Sequence, residues 1–377
     1  MFYLNFSNIK IYKEKFNLNI LYVSNSVHLG GDTKCILKLC KELKSKNKII
    51  LASSGGKLLP DFLNMGIKHY TIKYTNMLNI FAMIFNIFKI LEIVRKENIQ
   101  LIHSHHRMTT VLSRIASFFI RVKVIHTQHV CIENKYFLTR LFLRNINIIS
   151  VSNSAKDILI NKCKLNKKNI TTIYNTVEIN NTNKNIDNIL LEAKNKNYFI
   201  IAQVSRIIDY KGVYDFVDIA KEVISTNKII RFFLIGEGEE SERLRDYINK
   251  NNLEDYVFML GSKDNVIEHL KYVDLLLLCS YVEGLPLAPI EAFSQRIPVV
   301  ATNIPGTCEE IINGINGYLA PVKDINSFAK RINEIYYNVE LYKSLKKGAY
   351  RTFAQNFTSE KYINSHLKFY KKVLKER

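Results

Sequence analysis

Only 6 Pro and 14 Gly occur among the 377 residues, which excludes a collagen-like or low-complexity chain. With 47% hydrophobic against 23% charged residues, the composition also excludes disorder. Paired cysteines are missing: Cys35, Cys40, Cys131, Cys163, Cys279 and Cys308 form no Cys-x-x-Cys and have no His at zinc-ligand spacing, so free thiols in a reducing compartment are expected. Long apolar runs are missing too. The longest uncharged stretch, 74–88, is interrupted by Asn76, Asn79 and Asn86 and falls short of the roughly 20 apolar residues a membrane-crossing helix needs. The start, Met1 to Asn5, lacks the basic end and apolar core of a secretory signal, and a cytoplasmic location is expected, with peripheral placement on the inner face of the cytoplasmic membrane as an extension. No role is assignable to residues 1–16.

What the chain does have is length enough for two domains, each with a core. Its net charge of +20 is unevenly spread. Residues 1–200 carry 30 Lys and Arg against 11 Asp and Glu, whereas residues 201–350 carry 17 against 21. A basic first half suits nucleic acid, an anionic membrane or a phosphate-bearing ligand, and is equally what an Asn/Lys/Ile-rich solvated surface gives.

Short apolar runs rich in β-formers alternate with helical stretches, the pattern of parallel sheets covered by helices. Strands are predicted at 18–24, 48–52, 101–104, 123–127 and 147–152, and again at 198–204, 229–235, 257–260, 275–279 and 298–301. The fold class is therefore α/β, with two doubly wound, Rossmann-like halves. Residues 1–183 form the first domain, 184–197 a polar linker, 198–355 the second domain, and 356–377 a last helix.

In such sheets ligands settle at the carboxyl ends of strands, so motifs belong on strand-to-helix turns. Gly30-Gly31 follows the first strand and opens a helix, where backbone amides can approach an anion or merely shape the turn. The densest block runs from Leu275 to Ala292. A buried strand ends near Ser280, Glu283-Gly284 turn, and a helix starts near Leu287, leaving amides around Leu285 and Leu287 suited to a diphosphate. Glu283 and Glu291 flank that turn and can accept hydrogen bonds from sugar hydroxyls; the plainer alternative makes Glu283 a helix cap and leaves Glu291 in solvent.

Glu283-Gly-Leu-Pro-Leu-Ala-Pro-Ile-Glu291 resembles the E-x7-E signature of glycosyltransferase family 4, retaining nucleotide-sugar transferases of GT-B fold, whose two Rossmann-like domains face each other across a cleft. In the same order, residues 204–212 resemble its G-R-x4-K-G segment with Ser205 at the usual Gly, and 234–238 resemble its Gly-rich turn around Gly236. Residues 297–302, 306–309 and 313–317 follow suit, as do 127–129, 151–154 and 173–175 in the first half. Arg296 and Thr176 stand where the family has Gly, and Cys308 where Pro is frequent.

The resemblance implies roles. Arg206 and Lys211 would clamp the donor diphosphate, with Gly284, Leu285 and Leu287 lending amides and Gly236 close by. Glu291 would hold the ribose, Glu283 the transferred sugar, His129 would sit beside that sugar, and Gly30-Gly31 would touch the phosphates from the other domain. No Asp-x-Asp occurs, so the metal-chelating motif of the other main glycosyltransferase fold is missing. No metal or cofactor is expected, the cations taking a metal's place. The implied partners are a nucleotide-diphosphate sugar and a saccharide or lipid-linked acceptor, with surface polysaccharide or lipopolysaccharide assembly as the setting, and no nucleic acid. The last helix would pack back on the first domain.

Other features carry less. His103, His105 and His106 invite a metal reading but have no neighbouring carboxylate or Cys in sequence. Residues 107–123 and 135–144 read as basic amphipathic helices able to lie on lipid, or equally to pack on the sheet. A nicotinamide oxidoreductase would need a G-x-G-x-x-G turn that is absent. A basic nucleic-acid-binding protein and a catalytically silent GT-B partner subunit remain the rivals.

Overall fold

The computed structural model describes residues 17–76, 79–132, 134–179 and 186–376; residues 1–16 lie outside it. Its first sheet contains β1 (Asn19–Val23), β2 (Lys48–Ser53), β3 (Lys68–Thr71), β4 (Leu101–Ser104), β5 (Lys123–Gln128), β6 (Asn147–Ser150) and β7 (Ile170–Thr172), in the order β3-β2-β1-β4-β5-β6-β7. The second contains β8 (Phe199–Val204), β9 (Ile230–Ile235), β10 (Val257–Gly261), β11 (Leu275–Leu278), β12 (Val299–Thr302) and β13 (Gly317–Ala320), in the order β10-β9-β8-β11-β12-β13. Every pairing of the second sheet is parallel, as are those from β3 to β5 in the first. Strand order reverses beside β1 in one sheet and between β8 and β11 in the other.

Both faces of the second sheet are covered, which is why β11 is apolar at every step and β8 at every step but Gln203, rather than at alternate ones. Ile200, Ala202, Leu276 and Leu278 enter one core, and Ile201, Leu275 and Leu277 the other. Contact density divides the chain into two units. One comprises the described residues up to Thr127, Leu141–Ile149 and those from Glu360 onward; the other comprises Gln128–Arg140 and Ser150–Ser359.

The predicted strands are the central ones together with the edge strand β10. β3, β7 and β13 escape sequence reasoning because each is an edge strand with one neighbour and only three or four residues long. The linker expectation for 184–197 needs correction. Residues 184–185 lie outside the described chain, but Asn188–Asn195 is a helix, capped by the Asp187 side chain on Ile189 N at 3.3 Å, with Leu190 and Ala193 buried against Ile200. Its polar composition is simply that of its solvent side.

The last helix, Ser359–Lys375, supplies Tyr362, His366, Phe369 and Tyr370 to the core of the first unit. Tyr370 Oη lies 3.0 Å from Tyr22 Oη on β1 and 2.8 Å from His103 Nδ1 on β4, while His103 Nε2 lies 2.6 Å from Thr127 Oγ1. His103 and His105 stack with ring centroids 4.2 Å apart. Their apparent metal pattern is thus a buried aromatic network, and no group of three ligating side chains suited to a metal occurs among the described residues. Nor is any described helix long and apolar enough to cross a membrane.

Candidate functional site

Where a doubly wound sheet reverses its strand order, loops from adjacent strands part and leave room for a ligand. In the second unit that place lies at the ends of β8, leading into Ser205 and Arg206, and β11, leading into the 279–286 loop. It is here that Lys211 and Glu283 meet. Lys211 Nζ donates to Glu283 Oε1 at 2.5 Å, and both side chains are largely shielded from solvent.

Three features hold that pair. Gln203, fully buried in β8, donates from Nε2 to the Lys211 carbonyl at 2.9 Å, and Tyr281 N donates to the Tyr210 carbonyl at 2.9 Å. Gly212 has φ +64°, and a Cβ there would run into the carbonyl of Cys279, so only glycine lets this loop rest on the end of β11. Arg206 is exposed and does not touch the glutamate; its Nη2 donates to Tyr210 Oη at 2.7 Å, while Lys211 Nζ lies 5.5 Å from the Tyr210 ring centre. One tyrosine therefore organises both cations.

Opposite them the helix Leu287–Ser294 begins after Pro286 with no side-chain cap. Among the described residues the amides of Gly284, Leu285 and Leu287 find no acceptor. Cations beside uncapped amides are an arrangement suited to an anion. Glu291 is buried one turn into this helix, which overturns the alternative of a solvated Glu291 and a capping Glu283. At Gly284 the backbone presses on another segment: a Cβ would collide with the carbonyl of His129 and lie 2.8 Å from Val130 Cα. His129, half-buried, thus joins the site through its main chain. Gly236 spends its own amide on the Gly261 carbonyl at 2.9 Å, and a Cβ there would run into the Ser205 carbonyl.

Segments that looked related only in sequence order meet in this unit. Asn175 Nδ2 donates to the Leu285 carbonyl at 3.1 Å. Glu309 accepts from Asn153 N at 2.7 Å, Ser154 N at 2.5 Å and Tyr174 Oη at 3.2 Å, anchoring the helix Asn153–Asn161 by its amino end. Burial and Glu309 push the Tyr174 hydroxyl up to about 12. Arg296, in place of a family glycine, takes φ +63°, so the left-handed turn is kept without the glycine. Gly30 and Gly31 lie in the first unit, where Gly30 begins the helix Gly31–Leu43 in extended conformation, and His106 Nε2 sits 3.4 Å from Asp32 Oδ2.

Sequence reasoning missed Gln203, legible only as a lone amide in an apolar strand, and Glu310. Both carboxyl oxygens of Glu310 are buried without a partner, and burial, reinforced by the charge of Glu283, pushes its pKa well above the carboxylate range. A raised folded-state pKa contributes stability that is complete below the unfolded value and is lost as pH climbs through the folded one. The melting temperature of the chain should therefore fall more steeply than that of Glu310→Gln as pH rises above the ordinary carboxylate value of 4.5. Parallel curves in a calorimetric pH series would remove Glu310 from that balance.

The two doubly wound parallel sheets are those of the GT-B fold. Residues 185–352 match the family "Glycosyl transferases group 1" and residues 29–181 match "Glycosyltransferase Family 4". The chain belongs to this family of glycosyltransferases. It is 27% identical to N-acetyl-alpha-D-glucosaminyl L-malate synthase of Bacillus anthracis over 76% of its own length and 78% of that protein's. It is 29% identical to the capsular polysaccharide biosynthesis glycosyltransferase CapH of Staphylococcus aureus over 78% and 83%. In fold it is similar to Anabaena HepE, solved in complex with UDP-glucose, with a TM-score of 0.82 at 19% identity over 94% of this chain and 100% of that one.

Proposed function

We propose that the chain transfers a hexose-type sugar, with retention, from a nucleotide-diphosphate sugar to a saccharide or lipid-linked acceptor in the assembly of a bacterial surface polysaccharide. The observation that carries this reading is the Lys211–Glu283 pair beside the uncapped helix Leu287–Ser294. The names of the capsular relative and of the UDP-glucose-bound fold neighbour support the setting and the donor class.

In this mechanism Arg206, Lys211 and the amides of Gly284, Leu285 and Leu287 take the diphosphate, Glu291 the ribose and Glu283 the hexose hydroxyls. As the sugar–phosphate bond breaks, negative charge grows on the departing oxygen and positive charge on the anomeric carbon. Preplaced cations and amides stabilise the former at little reorganisation cost. The acceptor enters from the face the diphosphate leaves, and its proton passes to the departing phosphate oxygen, so no protein base is needed. His129 then positions the sugar rather than removing a proton. Charge neutralisation by Lys and Arg makes the reaction independent of a metal ion.

A thermal-shift panel of UDP-, GDP- and ADP-sugars on the full chain, followed by transfer assays with and without EDTA, tests the reading. One nucleotide series at about 100 times its dissociation constant should add about 2.7 kcal/mol of stability. Transfer should then persist in EDTA. No shift with any nucleotide sugar, together with a salt-sensitive shift on nucleic acid, would transfer the case to the nucleic-acid rival.

A further inference from the structure

The uncharged run 74–88, too short to cross a bilayer, has no part in the donor site. Most of it folds into the first turns of the helix Ile80–Glu97, begun by Asn79, whose side chain accepts from Ala82 N at 2.9 Å. One face of that helix is fixed inward. Ala82, Ile90, Ile93 and Val94 are buried, and buried Asn86 bonds Lys73 N and O, each at 2.8 Å, and Thr75 Oγ1 at 2.6 Å. The other face is then bound to point out. Ile80, Phe81, Ile84, Phe85 and Phe88 are 64, 86, 47, 44 and 67% exposed, a stripe two turns long with three phenylalanines and no polar side chain. Isolated exposed apolar residues are ordinary, but a contiguous row of this kind marks a contact surface.

Charge says what the contact is. Residues 73–123 contain eight Lys and Arg against two Glu, and one of these acids, Glu97, is buried and held by Lys48 and Lys68. Lys73 Nζ stands 4.7 Å from the Phe85 ring centre, at the border of the stripe. The helix Arg107–Phe119 shares a core with Ile80–Glu97 through Leu112 and Ala116, so the apolar side expected to meet lipid is partly turned inward; its end nevertheless exposes Phe118 and Phe119 next to Arg121. Two copies joined through this face would bring like charges together. Aromatic rings flanked by lysines suit the boundary between acyl chains and anionic headgroups.

We infer that the outward face of Ile80–Glu97 seats the protein on an anionic lipid surface, with Phe81, Phe85 and Phe88 inserted at the headgroup boundary and Lys73 beside the phosphates. This seating does not depend on the donor-site reading. It places a membrane-borne acceptor within the reach of a protein whose described helices do not cross the bilayer.

Flotation of the full chain with vesicles of phosphatidylcholine alone, or mixed with phosphatidylglycerol, tests it. The chain should float with the anionic vesicles, keep part of that binding in high salt because the stripe is apolar, and bind plain phosphatidylcholine weakly. The triple variant Phe81→Ser, Phe85→Ser, Phe88→Ser should bind anionic vesicles at least about tenfold more weakly at a little-changed melting temperature, since Phe81 and Phe88 are mostly in water and Phe85 is 44% exposed. Lys73→Glu should weaken binding to anionic vesicles alone. Absence of flotation, or a triple variant that floats like the parent, overturns the inference. So does a triple variant that changes only from dimer to monomer in size-exclusion chromatography, which would make the stripe a self-association face.

Discussion

Lys211→Met should lower transfer by about 10²- to 10³-fold, the loss typical of removing one preplaced group from developing negative charge. The same substitution should also destabilise the second unit, because it leaves Glu283, a shielded carboxylate, without its cation. Breaking a buried pair from one side costs about 3–5 kcal/mol, and the residual exposure of Lys211 puts the expectation at the low end. The two effects separate in the double variant. Adding Glu283→Gln should restore most of the melting temperature, because the uncompensated charge disappears, yet leave transfer at or below the level of Lys211→Met. Calorimetry and initial rates on the three variants read this directly. A double variant that regains activity along with stability would reduce the pair to a structural clip.

Gly284→Ala should be nearly as damaging, by a different route. A methyl group at that position meets the carbonyl of His129 and the Val130 backbone, neither of which can rotate away as a side chain could. The loop must move, carrying with it the amides of Leu285 and Leu287 and the carboxylate of Glu283. Transfer should fall by about 10²-fold or more, since small displacements from productive geometry have such effects. Gly66→Ala is the control for loss of a glycine as such: Gly66 has φ +75° but no atom near its missing Cβ, so it should lose stability and retain transfer. Equal turnover in Gly284→Ala and the parent would remove the 284 loop from the donor site.

The parts of the fold legible in the sequence are those for which one physical cause dominates. Central strands such as Phe199–Val204 and Leu275–Leu278 are covered on both faces and so read as apolar runs, broken only at Gln203. The turn at 283–287 was readable because a strand end, a glycine and a helix start follow one another within a few residues. Causes that act across the chain were not readable. Gln203 matters through its bond to a backbone carbonyl eight residues on, and Glu310 through a burial that depends on distant segments. His366 belongs to no motif in the sequence, yet its ring packs 4.3 Å, centre to centre, from Tyr362 inside the first unit. The helix Asn188–Asn195 reads as a polar connector because only two of its residues are buried.

The aromatic contact of Tyr370 with β1 and β4 has a consequence for how the protein is made. The segment that completes the first unit leaves the ribosome after every strand of the second unit. Domains usually mature in the order of their synthesis, but here the later unit can close while the earlier one still waits for its final layer. Truncated chains ending before residue 360 should therefore show a stable second unit and an unfinished first one, an inversion that pulse-labelled proteolysis of stalled nascent chains would display.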